Sequence, residues 1–129
     1  MKQKIILDTL QSAGYKFTKT RKKICDTITQ TKKLFCVADI SHTIPQVNQA
    51  SVYRTFEILE TLNLITPTIK IDGQQYYEKH DESHHHHHII CKRCKKTKCV
   101  DCNITTSSIS GFTQITHATV LVGVCNSCS

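Results

Sequence analysis

Hydrophobic residues recur at helical spacing through the first part of the chain. Ile6 and Leu10 lie four positions apart, and Gly14 follows where a glycine can end a helix in the left-handed conformation. A second helix is predicted after Thr18, because a threonine hydroxyl caps helix N-termini. Its first turn is crowded with cations, which favours a surface facing phosphate groups, although a merely solvated basic face has the same pattern. These cations are Lys19, Arg21, Lys22 and Lys23.

Two further helices are predicted next. A short helix from about Val37 to Thr43 ends before Pro45, whose ring disfavours helix at the preceding residue. Asn48 can cap a fourth helix, and polar residues at the start of that helix lie largely off its apolar stripe, as suits contact with base edges and phosphates. The stripe is Val52, Phe56, Leu59 and Leu62, and the polar residues are Gln49, Ser51, Tyr53, Arg54 and Thr55.

A hairpin is predicted after the fourth helix. Strand-like runs at residues 64–71 and 74–77 flank Asp72 and Gly73, and an Asp-Gly pair between two such runs is a strong hairpin signal. Helices followed by a hairpin make a winged helix-turn-helix. This module binds DNA in some proteins and other proteins elsewhere, so the architecture alone does not fix the function.

Two CxxC pairs bracket the last third of the chain. Cys91 and Cys94 form the first pair, Cys125 and Cys128 form the last, and together they can supply a closed tetrahedral zinc site of the structural kind. Disulfides in a secreted protein are the alternative. However, the N-terminus shows no long apolar signal segment, and no run approaches the roughly 18 apolar residues of a membrane span. We therefore expect a cytoplasmic protein with bound metal and no membrane partner.

A third CxxC pair, Cys99 and Cys102, leaves a second arrangement open. It begins five positions beyond Cys94, so the first and third pairs could form a tight local cluster. We favour the first and last pairs, because residues 113–124 read as a strand that delivers the last pair to the sheet. Cys102 is then spare, as a candidate sensor ligand or oxidisable thiol.

Five consecutive histidines precede the first CxxC pair. If the run starts a strand, side chains alternate between the two faces, so His84, His86 and His88 share one face while His85 and His87 share the other. One strand can thus serve two separate metal sites.

Length and charge narrow the functional classes. A chain of 129 residues forms one domain or two very small ones, whose modest core a metal would usefully supplement. The net charge of +7 is uneven, since residues 1–33 carry nine Lys and Arg against two acids. That basic third indicates a polyanion partner. No carboxylate pair or phosphate loop indicates catalysis or a small-molecule substrate, and no CxxC opens a helix beside a strand as in thioredoxin-like oxidoreductases.

Four segments occur in a distinctive order. They are GYKFTKTR at residues 14–21, ASVYRTF at 50–56 with LNLI at 62–65, the histidine run leading into Cys91, and GVCNSC at 123–128. Together they resemble the ferric uptake regulator family over nearly the whole chain. That family comprises dimeric, metal-responsive bacterial transcription regulators, including sensors of iron, zinc, nickel, manganese and peroxide.

The resemblance implies an α+β protein with three parts. Residues 1–78 would form a winged-helix DNA-binding domain, residues 79–83 a hinge, and residues 84–129 a small α/β dimerisation domain with the four-cysteine zinc site. A homodimer would bind double-stranded DNA at an A/T-rich inverted repeat, with Lys16 in the minor groove, Arg21 on the backbone, and the fourth helix in the major groove. The major-groove residues are Ser51, Tyr53 and Arg54.

The resemblance also implies two further metal sites. One of these, the regulatory site, would include the thiolate of Cys99, and a thiolate ligand favours zinc over iron or manganese. The prediction is therefore a zinc-sensing repressor. An iron or peroxide sensor of the same family, or a histidine-rich metal buffer without DNA function, are the alternatives. The regulatory ligands would come from Glu78, His80, His86, His88 and Cys99, and those of the second site from His85, His87, His117 and Asp101.

Two features depart from the family pattern. Leu34 stands where many relatives have a histidine ligand, and Cys36 is a candidate substitute for it. Residues 103–110 are shorter than the family's dimerisation helix and contain no acid, which makes the second site weak or vestigial.

Overall fold

Helices and strands separate along the chain into two units. The structure is a computed structural model that describes residues 3–31, 34–80, 86–103, 108–115, 117 and 119–129. Unit 1 is Met1–Asp81 and unit 2 is Glu82–Ser129. In the described ranges, unit 1 contains all of the α-helices and a hairpin, and unit 2 contains a three-stranded sheet. The predicted α+β class is therefore confirmed.

Unit 1 has the element order of a winged helix-turn-helix. Three helices precede a fourth, longer one, and a two-stranded antiparallel hairpin follows. The helices are α1 Gln3–Ser12, α2 Lys19–Gln30, α3 Val37–Thr43 and α4 Gln49–Thr61, and the hairpin strands are β1 Ile65–Ile71 and β2 Gln74–Lys79.

The predicted caps set where α2 and α4 begin. The Thr18 hydroxyl accepts a hydrogen bond from the Arg21 backbone N–H at 3.1 Å, and the Asn48 side-chain oxygen accepts one from the Ala50 N–H at 2.7 Å. Each bond satisfies an N–H that has no partner inside its helix. The Asn48 cap therefore fixes the residue at which α4 begins, and with it the position of the polar residues at the start of the helix relative to its apolar stripe.

A cluster of three aromatic rings ties the helices of unit 1 to its hairpin. The rings of Phe35 and Phe56 meet edge to face with centroids 5.6 Å apart, and Phe56 meets Tyr77 in the same way at 5.1 Å. Phe35 and Tyr77 also exchange two backbone hydrogen bonds, of 3.0 and 2.7 Å. The segment before α3 is thus bonded to strand β2. Cys25 lies in the same core, and burial raises its pKa to about 12.

The Asp-Gly hairpin is confirmed. Asp72 and Gly73 have φ of 51° and 79°, the pair of positive angles that a two-residue turn with strand-matched twist requires. The Lys79 ammonium donates to the Thr29 carbonyl at 2.9 Å, in the last turn of α2, where helix carbonyls attract cations. The hairpin is therefore held at its turn by the backbone conformation of Asp72 and Gly73, and at its base by the hydrogen bond from Lys79 to α2.

One detail of unit 1 differs from the prediction. Thr55 is buried rather than off the apolar stripe, with 3% exposure. Its hydroxyl donates to the Ser51 carbonyl at 2.9 Å, which satisfies the polar group and leaves the methyl group for the core.

Unit 2 is a sheet with β3 at its centre. Strand β3 spans His86–Cys91, β4 spans Thr97–Asp101 and β5 spans Val120–Gly123. The sheet order is β4-β3-β5, with β4 antiparallel and β5 parallel to β3. The prediction that the histidine run starts a strand is confirmed for the described residues.

The long strand predicted over residues 113–124 is wrong in extent. Strand β5 covers its last part alone, while Thr116 and Ala118 lie outside the described residues. Gly111 and Gln114 have φ of 88° and 55°, so the backbone there turns through the left-handed region instead of extending.

The structure divides the chain after Asp81, and β2 ends at Lys79. Residues 81–83 of the predicted hinge are outside the described ranges, so the boundaries at 78 and 84 stay predictions. No helix in the described ranges is both long enough and apolar enough to cross a bilayer.

We expect truncation of two aromatic residues of α4 to have very different effects on the free energy of unfolding. Phe56→Ala should lower the free energy of unfolding by about 3–5 kcal/mol, because it removes a ring from the packed core. Tyr53→Ala, at a side chain 52% exposed, should change it by no more than about 0.5 kcal/mol. Urea unfolding followed by circular dichroism measures both. Equal losses would show that the aromatic cluster does not hold unit 1 together.

Candidate metal centres and DNA-binding face

The first and last CxxC pairs meet at one end of the sheet of unit 2. Cys91 ends β3 opposite Gly123, the last residue of β5, and the Lys92 N–H donates to the Gly123 carbonyl at 2.9 Å. Both CxxC turns therefore start from adjacent strand ends. The sulfurs of Cys91, Cys94, Cys125 and Cys128 all lie within 4.8 Å of one another.

The spacing of these sulfurs fits a tetrahedral zinc ion. Zinc–sulfur bonds of about 2.3 Å place neighbouring sulfurs about 3.8 Å apart. The sulfurs of Cys94 and Cys125, one from each pair, are 3.7 Å apart. Four thiolates also match the ligand preference of zinc, so the residues present fit a closed structural site.

Backbone amides prepare this cluster for metal binding. The N–H groups of Cys125 and Cys94 point at the Cys91 sulfur, at 3.4 and 3.5 Å, and lower the pKa of Cys91 to about 5. The Cys128 thiol instead shares its proton with the neighbouring sulfurs of Cys125 and Cys94, which raises its pKa to about 12. The backbone amides therefore favour the thiolate form of Cys91, and a metal ion would displace the protons that remain in the cluster.

The alternative cluster of the first and third CxxC pairs does not form. Cys99 lies within β4 and is exposed, and Cys102 follows the end of that strand. Among the described residues, neither joins the four-thiol group.

Cys102 belongs instead to a second cluster, with His87 and His117. The Cys102 sulfur and the His117 Nε2 atom are 3.2 Å apart, and the His117 Nε2 and His87 Nε2 atoms are also 3.2 Å apart. His87 is buried at 7% exposure and the other two side chains are half-buried. This set could hold a metal ion. The structure therefore brings together two residues of the predicted second site, and adds a thiol.

Asp101 and His85 complete the predicted second site but are not part of this cluster. In β4, Val100 is the register partner of His87, so the next residue, Asp101, lies on the opposite face of the sheet. His85 lies outside the described residues. The sequence left Cys102 open between a sensor ligand and an oxidisable thiol and did not place it with His87 and His117, although the third CxxC pair marked it as a metal-ligand candidate.

The residues of the predicted regulatory site are divided between the units. Glu78 and His80 are in unit 1, at the end of β2 and just after it, while His88 and Cys99 are in unit 2. His88 and Cys99 are cross-strand partners, so both lie on one face of the sheet. His86 begins β3, and its side chain is outside the described part. The regulatory site therefore stays a prediction.

The positions that depart from the family pattern lie in the core of unit 1. Leu34 is 1% exposed and Cys36 is 2% exposed. The Cys36 N–H donates to the Asp39 carboxylate at 3.1 Å at the start of α3, and burial raises the pKa of the Cys36 thiol. Burial likewise raises the pKa of Tyr76 to about 12, with Cys36 beside it. Cys36 thus helps to cap a helix.

The predicted DNA-binding residues lie on two segments of unit 1. On α4, Tyr53 and Arg54 are exposed on the side away from the core residues of the helix, and Ser51 is half-buried one turn before the buried Thr55. Lys16 is exposed in the loop before α2, and the Arg21 guanidinium donates to the Lys16 carbonyl. Arg21 therefore fixes the loop that presents Lys16.

Comparison with known proteins identifies the family. A profile of the ferric uptake regulator family matches residues 12–120. No curated protein sequence matches the chain.

Solved structures share its fold. The ferric uptake regulator Fur of Helicobacter pylori, described as having three functional metal-binding sites, has a TM-score of 0.74 and 21% identity, covering 99% of this chain and 94% of that one. The Vibrio cholerae regulator has a TM-score of 0.75 and 19% identity over 92% and 98%. The zinc uptake regulator FurB of M. tuberculosis has 0.52 and 22% over 92% and 99%.

We expect Cys125→Ser to remove one tightly held zinc ion per chain. The substitution takes a ligand from the four-sulfur group, and a closed zinc site contributes directly to folding. Zinc per chain is measured by mass spectrometry after mild chelation. Cys99→Ser is the matched control, because it removes an exposed cysteine outside that group and should leave the zinc in place. Retention of the zinc by the Cys125→Ser protein would contradict the assignment.

Proposed function

The chain belongs to the ferric uptake regulator family, and on that premise we propose that it is a zinc-sensing repressor that binds an A/T-rich inverted-repeat operator as a homodimer in the cytoplasm. Members of this family are metal-responsive, dimeric DNA-binding transcription regulators and not enzymes. Beyond family membership, we propose that the sensed metal is zinc, that the operator is an A/T-rich inverted repeat and that the protein acts as a repressor.

One observation carries the proposal. A winged helix with an exposed Tyr53-Arg54 pair on α4 is joined, in the same chain, to a unit with two groups of metal-ligand side chains. The apolar residues of α4 face the core, so the exposed pair is available to base edges without loss of packing. A histidine-rich metal buffer would need no such helix, which disfavours that alternative.

The ligand chemistry favours zinc as the sensed metal. Cys99 supplies a thiol beside His88, where the family resemblance places a carboxylate, and softer donors select zinc over iron or manganese. An iron or peroxide sensor is the second candidate, since relatives of that kind share the fold. We propose Glu78, His80, His86, His88 and Cys99 as regulatory ligands, and Cys91, Cys94, Cys125 and Cys128 as holders of a structural zinc.

Metal binding at the proposed regulatory ligands would be coupled to DNA binding. A regulatory metal at the predicted hinge would fix the two winged helices of the dimer at the separation that matches two adjacent half-sites. The coupling is reciprocal, because operator DNA must then raise the affinity for the metal by the same factor.

The outer edge of unit 2 supports the proposed homodimer. Strand β5 is an edge strand, and it exposes Leu121 and Val122 on its two faces, each at 44%. Phe112 is 69% exposed nearby in sequence. An apolar edge strand that is open on both faces is a template for pairing, and a second copy of the chain would cover it.

We expect loss of the α4 contacts to weaken DNA binding without unfolding the protein. Tyr53→Ala and Arg54→Ala should each cost about 1–3 kcal/mol, or about fivefold to 150-fold in affinity. The probe is a duplex enriched by the zinc-loaded protein from a random-sequence library, with binding measured by fluorescence anisotropy. Glu60→Gln, an exposed change further along α4, is the control and should not weaken binding. Unchanged affinity in both alanine variants would remove α4 from the interface.

We expect chelation of the regulatory metal to abolish binding to the same duplex while the structural zinc stays bound. Zinc should restore binding at lower free concentration than iron or manganese does, because of the thiol ligand. Metal content and anisotropy are read on the same samples. Binding that is indifferent to chelation would mean that the protein has no metal switch, and preferential recovery with iron would make it an iron sensor.

We expect Leu121→Glu to weaken the dimer by about a hundredfold or more, because an unpaired charge in an apolar interface costs about 3–5 kcal/mol. Sedimentation equilibrium of the zinc-loaded protein measures the change. Lys98→Glu places the same residue on the opposite edge strand and should leave the dimer intact. A dimer sensitive to Lys98→Glu alone would assign the interface to β4.

A further inference from the structure

The second cluster contains a thiol in place of a carboxylate. The resemblance places Asp101 with the two histidines, but Asp101 lies on the sheet face opposite His87. Cys102, one residue further along, has its sulfur 3.2 Å from His117 Nε2. The side chain that meets the histidines is therefore a thiol, which differs from a carboxylate in the cations it prefers.

The distances within this cluster fit one shared cation. For zinc bonds of about 2.0–2.1 Å to nitrogen and 2.3 Å to sulfur, tetrahedral geometry places two nitrogens about 3.3 Å apart and nitrogen and sulfur about 3.6 Å apart. The observed separations are 3.2 Å for both the nitrogen pair and the nitrogen–sulfur pair. All three donor atoms lie within 4.8 Å of one another, as ligands of one ion must.

Hydrogen bonding alone explains the cluster less well. The Nε2 atom of a neutral imidazole has either a proton or a lone pair in the ring plane, so it makes one well-directed hydrogen bond. The His117 Nε2 atom has two polar neighbours at the same distance, the Cys102 sulfur and the His87 nitrogen. A cation between the three atoms would use a lone pair of each.

The elements that position the three side chains belong to one sheet. His87 lies in the central strand β3, Cys102 directly follows β4, and His117 precedes β5. His87 is buried, while Cys102 and His117 are half-buried. Of the three residues, only His87 lies within a strand, so its backbone is the one held by the hydrogen-bonded ladder of the sheet.

We propose that Cys102 is a metal ligand, and that its thiolate with His87 and His117 forms a two-histidine, one-cysteine site for a thiophilic divalent cation, of which zinc is the first choice. The inference rests on the proposed metal-regulatory function for its biological meaning, but its chemistry depends on unit 2 alone. Three protein ligands leave a fourth tetrahedral position for water or another side chain.

Cobalt(II) tests this assignment, because a thiolate bound to cobalt gives a charge-transfer absorption in the near ultraviolet and imidazole does not. The starting protein has its four-cysteine site filled with zinc and carries Cys99→Ser, so that no thiol remains in the predicted regulatory set. We expect cobalt to produce the charge-transfer band in this protein. Adding Cys102→Ser should abolish the band, and zinc release is followed in parallel to exclude exchange at the four-cysteine site.

Histidine substitutions complete the test. His117→Asn in the Cys99→Ser protein should also remove the band, although Cys102, the cysteine of the cluster, is intact. A band that survives Cys102→Ser, or failure of cobalt to bind beyond the filled site, would overturn the proposal. Circular dichroism checks that the half-buried substitutions leave the fold unchanged.

Two readouts separate this inference from the proposed function. DNA binding by the same variants reports on the regulator, and the cobalt spectrum reports on Cys102. A cobalt band in a protein that binds no DNA would sustain the Cys102 site and reject the repressor. Metal-dependent DNA binding by a protein that shows no cobalt band would reject the Cys102 site and support the proposed regulator.

Discussion

Unit 2 is organised around a cluster of four thiols at two adjacent strand ends. Among the described residues of that unit, Ile90 and Cys91 are the buried apolar ones, whereas unit 1 buries apolar residues from every helix and from its hairpin. Three short strands with so few buried apolar residues gain little stability from apolar burial. A metal bound by the four cysteines would supply what the core lacks, since its binding energy becomes folding energy.

The strand register of unit 2 positions the second cluster. Cys91 ends β3 beside the end of β5, and the parallel register of these strands aligns His88 with Val120. His87 is next to that register position and His117 is three residues before it, so a slip between β3 and β5 would separate the two imidazoles. A one-residue slip would also reverse the faces of the side chains. The register that brings the first and last CxxC pairs together therefore also brings His87 toward His117, although the two groups share no residue.

Local signals made much of this architecture predictable from sequence. The caps Thr18 and Asn48, the Asp72-Gly73 turn and the pairing of the first and last CxxC each depend on residue types with strong local preferences. The role of Cys102 was not predictable in this way, because it depends on the face of β4 that meets His87. That face follows from the strand register, which pairs His87 with Val100 and therefore places Asp101 on the opposite face of the sheet.

The two units therefore depend on different physical terms, and under the proposed function this division has a consequence. Unit 1 is held by apolar packing around Phe35 and Phe56, which needs no metal, so the exposed face of α4 forms from packing alone. Unit 2 contains the four-thiol cluster, which would add metal-binding energy to a small core, and the edge strand that a second chain would cover in the proposed homodimer. A single winged helix contacts one half-site, and two joined helices contact both. A metal bound in unit 2 would then act on DNA binding through how two winged helices are joined, and not through the winged helix itself.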